Sequence, residues 1–245
     1  MSQADFGRLV HYSDSMVSAF ELGQRPLDRL LLLRADEVLE TGGLLVHLYE
    51  EAERSREPAW WRTWREAEEA AEQLRCWVPH LIPGLLQTER YARAILRLDC
   101  ALSDAEVERL VAGRMERQKI LTQENPVQYV AVLDEAMLRR TDEEFAGIMT
   151  EQLQHLLACA ERPNVTILAI PASVTLHIGL SGPFVLARSA EGEWIGHLES
   201  QLGGELVRGE AGLASLLRRW EYVRNDALPW RQSLDLIKEV ANSWT

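Results

Sequence analysis

Six polar residues have the types and neighbours that could form a binding pocket: Gln87, Arg114, Arg117, Glu135, Arg139 and His177. Asp134 and Glu135 fall where an apolar run, 129–133, ends and a short helix carrying Arg139 and Arg140 begins. Strand ends commonly open onto ligand clefts, so a carboxylate there beside guanidinium groups could orient a small polar ligand or do acid–base work. The same charges admit a structural role, in which Glu135 pairs with Arg114 or Arg117 and ties two helices to a sheet. His177 stands beside Gly179 and Gly182 in a predicted loop between Pro171 and Pro183. A lone loop histidine is more often solvated than catalytic.

Sharper chemical signatures are missing from the sequence. It has no Gly-rich phosphate loop, no G-x-S-x-G elbow and no HExxH. Cys76, Cys100 and Cys159 are odd in number and widely spaced, without a CxxC pair, which argues against a disulfide framework and against structural zinc. No metal or cofactor is expected, and no catalytic residue is assigned. The tryptophans are not interleaved with basic residues, so they are expected to pack rather than stack on bases.

A second constellation lies at the N-terminus. Ser2 followed by Asp5 is a capping pattern for a helix with an apolar face of Phe6, Leu9 and Val10, and Gly7 is small enough for a second helix to cross closely. His11 and Tyr12 make a turn, and Ser13 can cap a helix whose inward residues are Met16 or Val17 and Phe20. Two short helices joined by a tight turn can place the second in a DNA major groove. Asp14, Ser15, Ser18 and Ala19 would then face base edges, while Gln3 and Arg25 would hold phosphates.

The elements that must position these residues follow from periodicity. Short helices are predicted over 2–10, 13–22, 26–39, 43–54 and 59–73, and a charged stretch at 54–58 ending in Pro58 reads as a linker. Further along, strands are predicted over 74–78, 127–133, 165–170, 184–188 and 194–199. Helices are predicted over 88–98, 103–121, 142–161, 209–224 and 233–243. The class is α+β, mostly helical, with a small sheet covered by helices. The expected division is a helix-turn-helix region over 1–55 and an α+β ligand-sensing or partner-binding domain over 56–245.

With 245 residues, 47% hydrophobic and 26% charged, the composition is that of a globular chain. No apolar run approaches the roughly 18–20 residues of a membrane helix, and Asp5 and Arg8 stand where a signal peptide would be apolar, so a cytoplasmic location is expected. The net charge of −12 counts against strong nonspecific DNA binding, which comes from Lys and Arg neutralising phosphates. The first 43 residues do not reverse it, with four arginines against seven acids.

The spacing S-x-S-x-V-S-x-x-E-x-G-x-R-P, Ser13 to Pro26, resembles the recognition helix of XRE-type helix-turn-helix regulators. The resemblance implies a further helix ahead of Ser2, and the sequence starts where that helix would end. The first helix of the DNA-binding region is therefore expected to be absent, leaving Phe6, Leu9 and Phe20 partly uncovered. From Trp60 to Trp244 the chain resembles the domain that follows the helix-turn-helix in the actinobacterial WhiJ-like group, through PGLLQTERYARA (83–94), RMERQKIL (114–121), LDEAMLRR (133–140), QLQHLL (152–157) and GPF (182–184). Those resemblances imply a transcription regulator that binds operator half-sites on DNA as a homodimer and senses a small-molecule effector or a small partner protein. Two other classes remain open: a ligand-binding module that no longer binds DNA, and an enzyme using Glu135 and the arginines.

Overall fold

The computed structural model describes residues 2–22, 27–56, 58–140, 142–200 and 203–243. The chain divides into two compact units, Met1–Arg62 and Thr63–Thr245. Among the described residues no helix is long and apolar enough to cross a membrane.

The first unit contains α1 (Gln3–Val10), α2 (Asp14–Glu21), α3 (Arg29–Leu39) and α4 (Leu44–Arg56). A fifth helix, α5 (Ala59–Glu69), runs across the division. Each of the first three helices starts on a side chain that accepts an otherwise unpaired N–H: Ser2 from Asp5 at 3.1 Å, Ser13 from Met16 at 3.2 Å and Asp28 from Leu31 at 2.6 Å. His11 ends α1 in the left-handed region at φ 64°, and Tyr12 N donates to Gly7 O. A Cβ on Gly7 would stand 2.5 Å from Tyr12 O and 3.4 Å from Val17, so only glycine permits this close turn.

Gly7, Val10 and Val17 are buried, whereas Phe6, Met16 and Phe20 are half-buried. Leu9, on the apolar face with Phe6 and Val10, is exposed. It lies two residues beyond Gly7, about 160° around the helix, and Gly7 rather than Phe6 centres the contact. Asp36 at the end of α3 accepts the N–H groups of Leu45 and Val46 and the Thr41 hydroxyl, capping α4. Burial alone would raise its carboxyl, but these three donors outweigh that and hold it below the usual range.

The second unit is built on one six-stranded sheet in the order β3-β2-β1-β4-β5-β6, so the α+β class holds. The strands are β1 (Gln73–Trp77), β2 (Gln128–Asp134), β3 (Val165–Ile170), β4 (Phe184–Arg188), β5 (Trp194–Ser200) and β6 (Gly203–Val207). The first three are mutually parallel, and β4, β5 and β6 add on antiparallel. Parallel neighbours need long crossovers. One carries α6 (Glu89–Leu96) and α7 (Asp104–Arg117), the other α8 (Glu135–Leu138) and α9 (Ala146–Ala160). Two helices, α10 (Glu210–Asp226) and α11 (Trp230–Asn242), follow the sheet.

Strand alternation sends Trp77, Val132, Leu168, Ile170, Phe184 and Leu186 to one face, where α10 covers them with Leu216, Trp220 and Val223. Each large side chain removed from water there contributes roughly 1.5–3 kcal/mol. The opposite face carries Leu74, Cys76, Tyr129, Ala131 and Leu133, all buried. At the outer strand β3, Ser233 accepts Ala169 N and donates to Leu228 O, and Leu228 N donates to Ala169 O. The start of α11 thereby satisfies backbone groups of an edge that would otherwise stay open.

Candidate functional site

The candidate groups occupy separate places in the two units. In the first, Asp14 and Ser15 at the start of α2 are exposed, and Ser18 and Ala19 one turn on are half-buried. Asp14 Oδ1 accepts its neighbour's N–H, from Ser15, and Ser13 and Ser15 hydroxyls meet at 3.0 Å. Gln3 donates to Glu21 Oε2 at 2.6 Å. Its amide nitrogen is thus engaged by a carboxylate at the far end of α2. Arg25 lies outside the described residues.

In the second unit the parallel strands bring Trp77, Asp134 and Ile170, their last residues, to one end of the sheet. Asp134 Oδ1 accepts Ala136 N at 2.8 Å and starts α8, while Oδ2 lies 3.8 Å from His177 Nε2. His177 is not solvated as a loop histidine would be. Its side chain is only 2% exposed and meets Trp77 edge-on at 5.4 Å. The fold of the loop explains the burial: Trp77 Nε1 donates to Gly179 O at 2.8 Å, drawing the loop onto the sheet end. A Cβ on Gly179 would come within 2.6 Å of the Trp77 ring and 2.9 Å of His177 Nδ1, so a side chain cannot be accommodated without displacement.

Glu135 does not pair with Arg114 or Arg117. Its Oε1 accepts Arg139 Nε at 2.6 Å, one helical turn on, and its Oε2 accepts Ala172 N at 2.7 Å just beyond β3. Arg139 also reaches Glu239 on α11 at 2.9 Å. Burial would raise the Glu135 carboxyl, but the Ala172 N–H and the Arg139 guanidinium together hold it below the usual range. An ionised, doubly hydrogen-bonded carboxylate is a tie between loop and helix, and the raised pKa that a general acid needs at neutral pH is not there.

Gln87, Arg114 and Arg117 form a further group between the 3-10 turn Gly84–Leu86 and α7. Gln87 is drawn inward and is 3% exposed. Its Nε2 donates to Ile82 O at 2.6 Å and its Oε1 accepts Arg114 Nη1 at 2.7 Å. Gln118 Nε2 donates to the carbonyls of Gly84 and Gln87, and Gln152 accepts Thr88 N and donates to Leu86 O. Three glutamine side chains thus fix one irregular turn, which has few backbone partners of its own. Arg117 binds Glu68 through both Nε and Nη2 at 2.8 Å each. Burial would lower the Arg117 pKa, and the Glu68 carboxylate more than restores it.

Among the described residues no hydrogen bond joins the Gln87 group to Glu135 or His177. The six residues therefore do not form one hydrogen-bonded site. Sequence reasoning did not single out Glu68, Gln118, Gln152 or Trp77 as partners. Glu68 is one acid among Glu66, Glu69 and Glu72, and only the packing of α5 selects it. Among the described residues no group of three or more His, Cys, Asp or Glu could hold a metal ion.

This second unit is an α+β domain whose buried polar side chains largely anchor the connections around a mixed sheet. Residues 61–239 match the family model described as a domain of unknown function, DUF5753, and the chain belongs to that family. No curated protein and no solved structure matches it.

Proposed function

We propose that this chain is a sequence-specific DNA-binding transcription regulator of the XRE type and WhiJ-like group, acting as a homodimer, whose C-terminal domain senses a small molecule or a small partner protein. The observation that carries the reading is the pair α1 and α2, each started by a serine cap and joined by a turn closed over Gly7, with Asp14 and Ser15 outward at the start of the second helix. That is the arrangement by which a second helix enters a major groove. One such helix reads a half-site, so useful specificity needs two copies. The decisive experiment is a gel shift of the full chain on the DNA upstream of its own reading frame across a salt series. A retarded complex whose affinity falls steeply with salt is expected. No complex at 50 mM salt overturns the DNA-binding reading.

A ligand-binding module without DNA binding is the second reading. It is favoured by the Gln3 to Glu21 bond, which occupies a proposed phosphate contact, and by the net charge of −12. That reading expects no gel shift together with small-molecule binding by the second unit.

A further inference from the structure

Arg114 and Arg117 stand one turn apart on α7, and the fold treats them oppositely. Arg117 is gripped by a carboxylate through two hydrogen bonds. Arg114 is also largely withdrawn from water, yet among the described residues no carboxylate lies within ion-pair distance of it, and its one hydrogen bond goes from Nη1 to the neutral amide oxygen of Gln87. Withdrawing an uncompensated guanidinium is costly, and folded proteins ordinarily pair such charges. Burial accordingly depresses the Arg114 pKa, and the neighbouring Arg117 charge adds to the effect, with Glu199 opposing it from longer range.

The geometry also leaves a binding edge. Nε and Nη2, which together grip a carboxylate or phosphate through two parallel bonds, make no hydrogen bond, and neither is sealed from solvent. The guanidinium cannot swing freely, because Gln87 holds it and Gln87 is itself locked onto Ile82 O. A rigid cation with an unused fork is preorganised for an oxyanion.

We propose that Arg114 is the recognition group for an oxyanion, the carboxylate or phosphate of a small ligand, with Gln87 as its positioning partner. The inference names the ligand class for the sensing domain and rests on that reading for its regulatory meaning.

The test uses the full chain in thermal melts with sodium phosphate, sodium acetate or sodium chloride at matched pH and ionic strength. A rise over chloride of about 3–5 °C is expected at tenfold the dissociation constant, because a ligand that binds only the folded state stabilises it by mass action. Phosphate alone giving the rise identifies a phosphoryl ligand, and acetate alone a carboxylate. Arg114→Gln should lose the rise. Arg114→Lys keeps the charge without the fork and should show a weakened rise, and it decides the matter if Arg114→Gln does not fold. No rise over chloride, or an undiminished rise in the folded variants, overturns the proposal. Repeating the gel shift with the effective anion separates the two ideas: an Arg114-dependent rise without any DNA complex leaves the anion site standing and removes the regulator.

Discussion

In the second unit Trp64, Trp77 and Trp220 are each at most 1% exposed, and the acidic side chains drawn inward are held by arginines, Glu68 by Arg117 and Glu135 by Arg139. In the first unit the buried positions are fewer and smaller, while Leu9, Leu22, Leu30, Leu33, Leu44 and Leu48 are all exposed. Its order rests on helix caps, the glycine turn and the Asp36 carboxylate. The contrast separates two ways of being specific. A deep core tolerates the loss of a surface contact but not of a charge partner, and a small helical unit depends on local backbone geometry.

The largest effect is expected from Glu68→Ala. It removes the carboxylate that holds the Arg117 guanidinium through two hydrogen bonds in a mostly enclosed place, and removing one partner of a buried pair costs about 3–5 kcal/mol. Urea unfolding monitored by tryptophan fluorescence measures it. Replacing both members, Glu68→Leu with Arg117→Met, should recover most of the loss. If the single and double variants are equally unstable, the pair contributes through packing alone.

Next in size is Gly7→Ala, which puts a Cβ against a backbone oxygen that cannot step aside. An overpacking cost of about 1–3 kcal/mol is expected, confined to the first unit. Amide hydrogen exchange should show α1 and α2 losing protection while the sheet strands keep theirs. Equal loss in both units would show that they unfold together and would erase the contrast.

The first unit and the sheet were unequally legible in sequence. Ser2 and Ser13 are legible as caps and serve as caps, because capping is a local signal over three residues. Five strands were visible since each is an apolar run bounded by Pro, Gly or charge, but β6 begins with two glycines and offers only Leu206 and Val207 to a pattern. The placement of Asp134 and Glu135 at the end of a strand was legible for the same local reason. The partners were not. Arg117 meets a carboxylate 49 positions away, and that depends on how α5 lies against α7, which no spacing encodes. For His177 the sequence leaves a pocket residue and a solvated loop histidine as alternatives, and the hydrogen bond from Trp77 to Gly179 O that pulls the loop inward is not encoded in any spacing.

A smaller loss is expected from Glu135→Gln, about 1–2 kcal/mol at neutral pH, because Arg139 is partly exposed and keeps Glu239 as a second partner. The Glu135 carboxyl is lowered in the folded state, so its contribution is present above the ordinary carboxylate range and is lost as pH falls through that range and below it. The difference between parent and variant should therefore shrink in urea titrations below about pH 4. A difference that is constant from neutral to acid pH would mean that Ala172 and Arg139 do not depend on the charge.

The smallest effect distinguishes the same core by a different window of pH. His197 is buried with its ring stacked on Trp64 at 5.0 Å, and burial lowers its pKa, partly opposed by Glu199 and Glu68. The unfolded chain then binds the proton more readily than the folded one, so stability is lost as pH falls from the ordinary histidine value of about 6.5. His155 on α9 is lowered for the same reason and adds the same sign. His197→Phe keeps a ring against Trp64 and removes the titration. The urea midpoint of the variant should fall less than that of the parent between pH 7.5 and 5.5, a window lying above the one in which Glu135 acts. Parallel midpoints for the two proteins would show that His197 takes up its proton without disturbing the packed sheet, and the link between burial and charge would then rest on the arginine pairs alone.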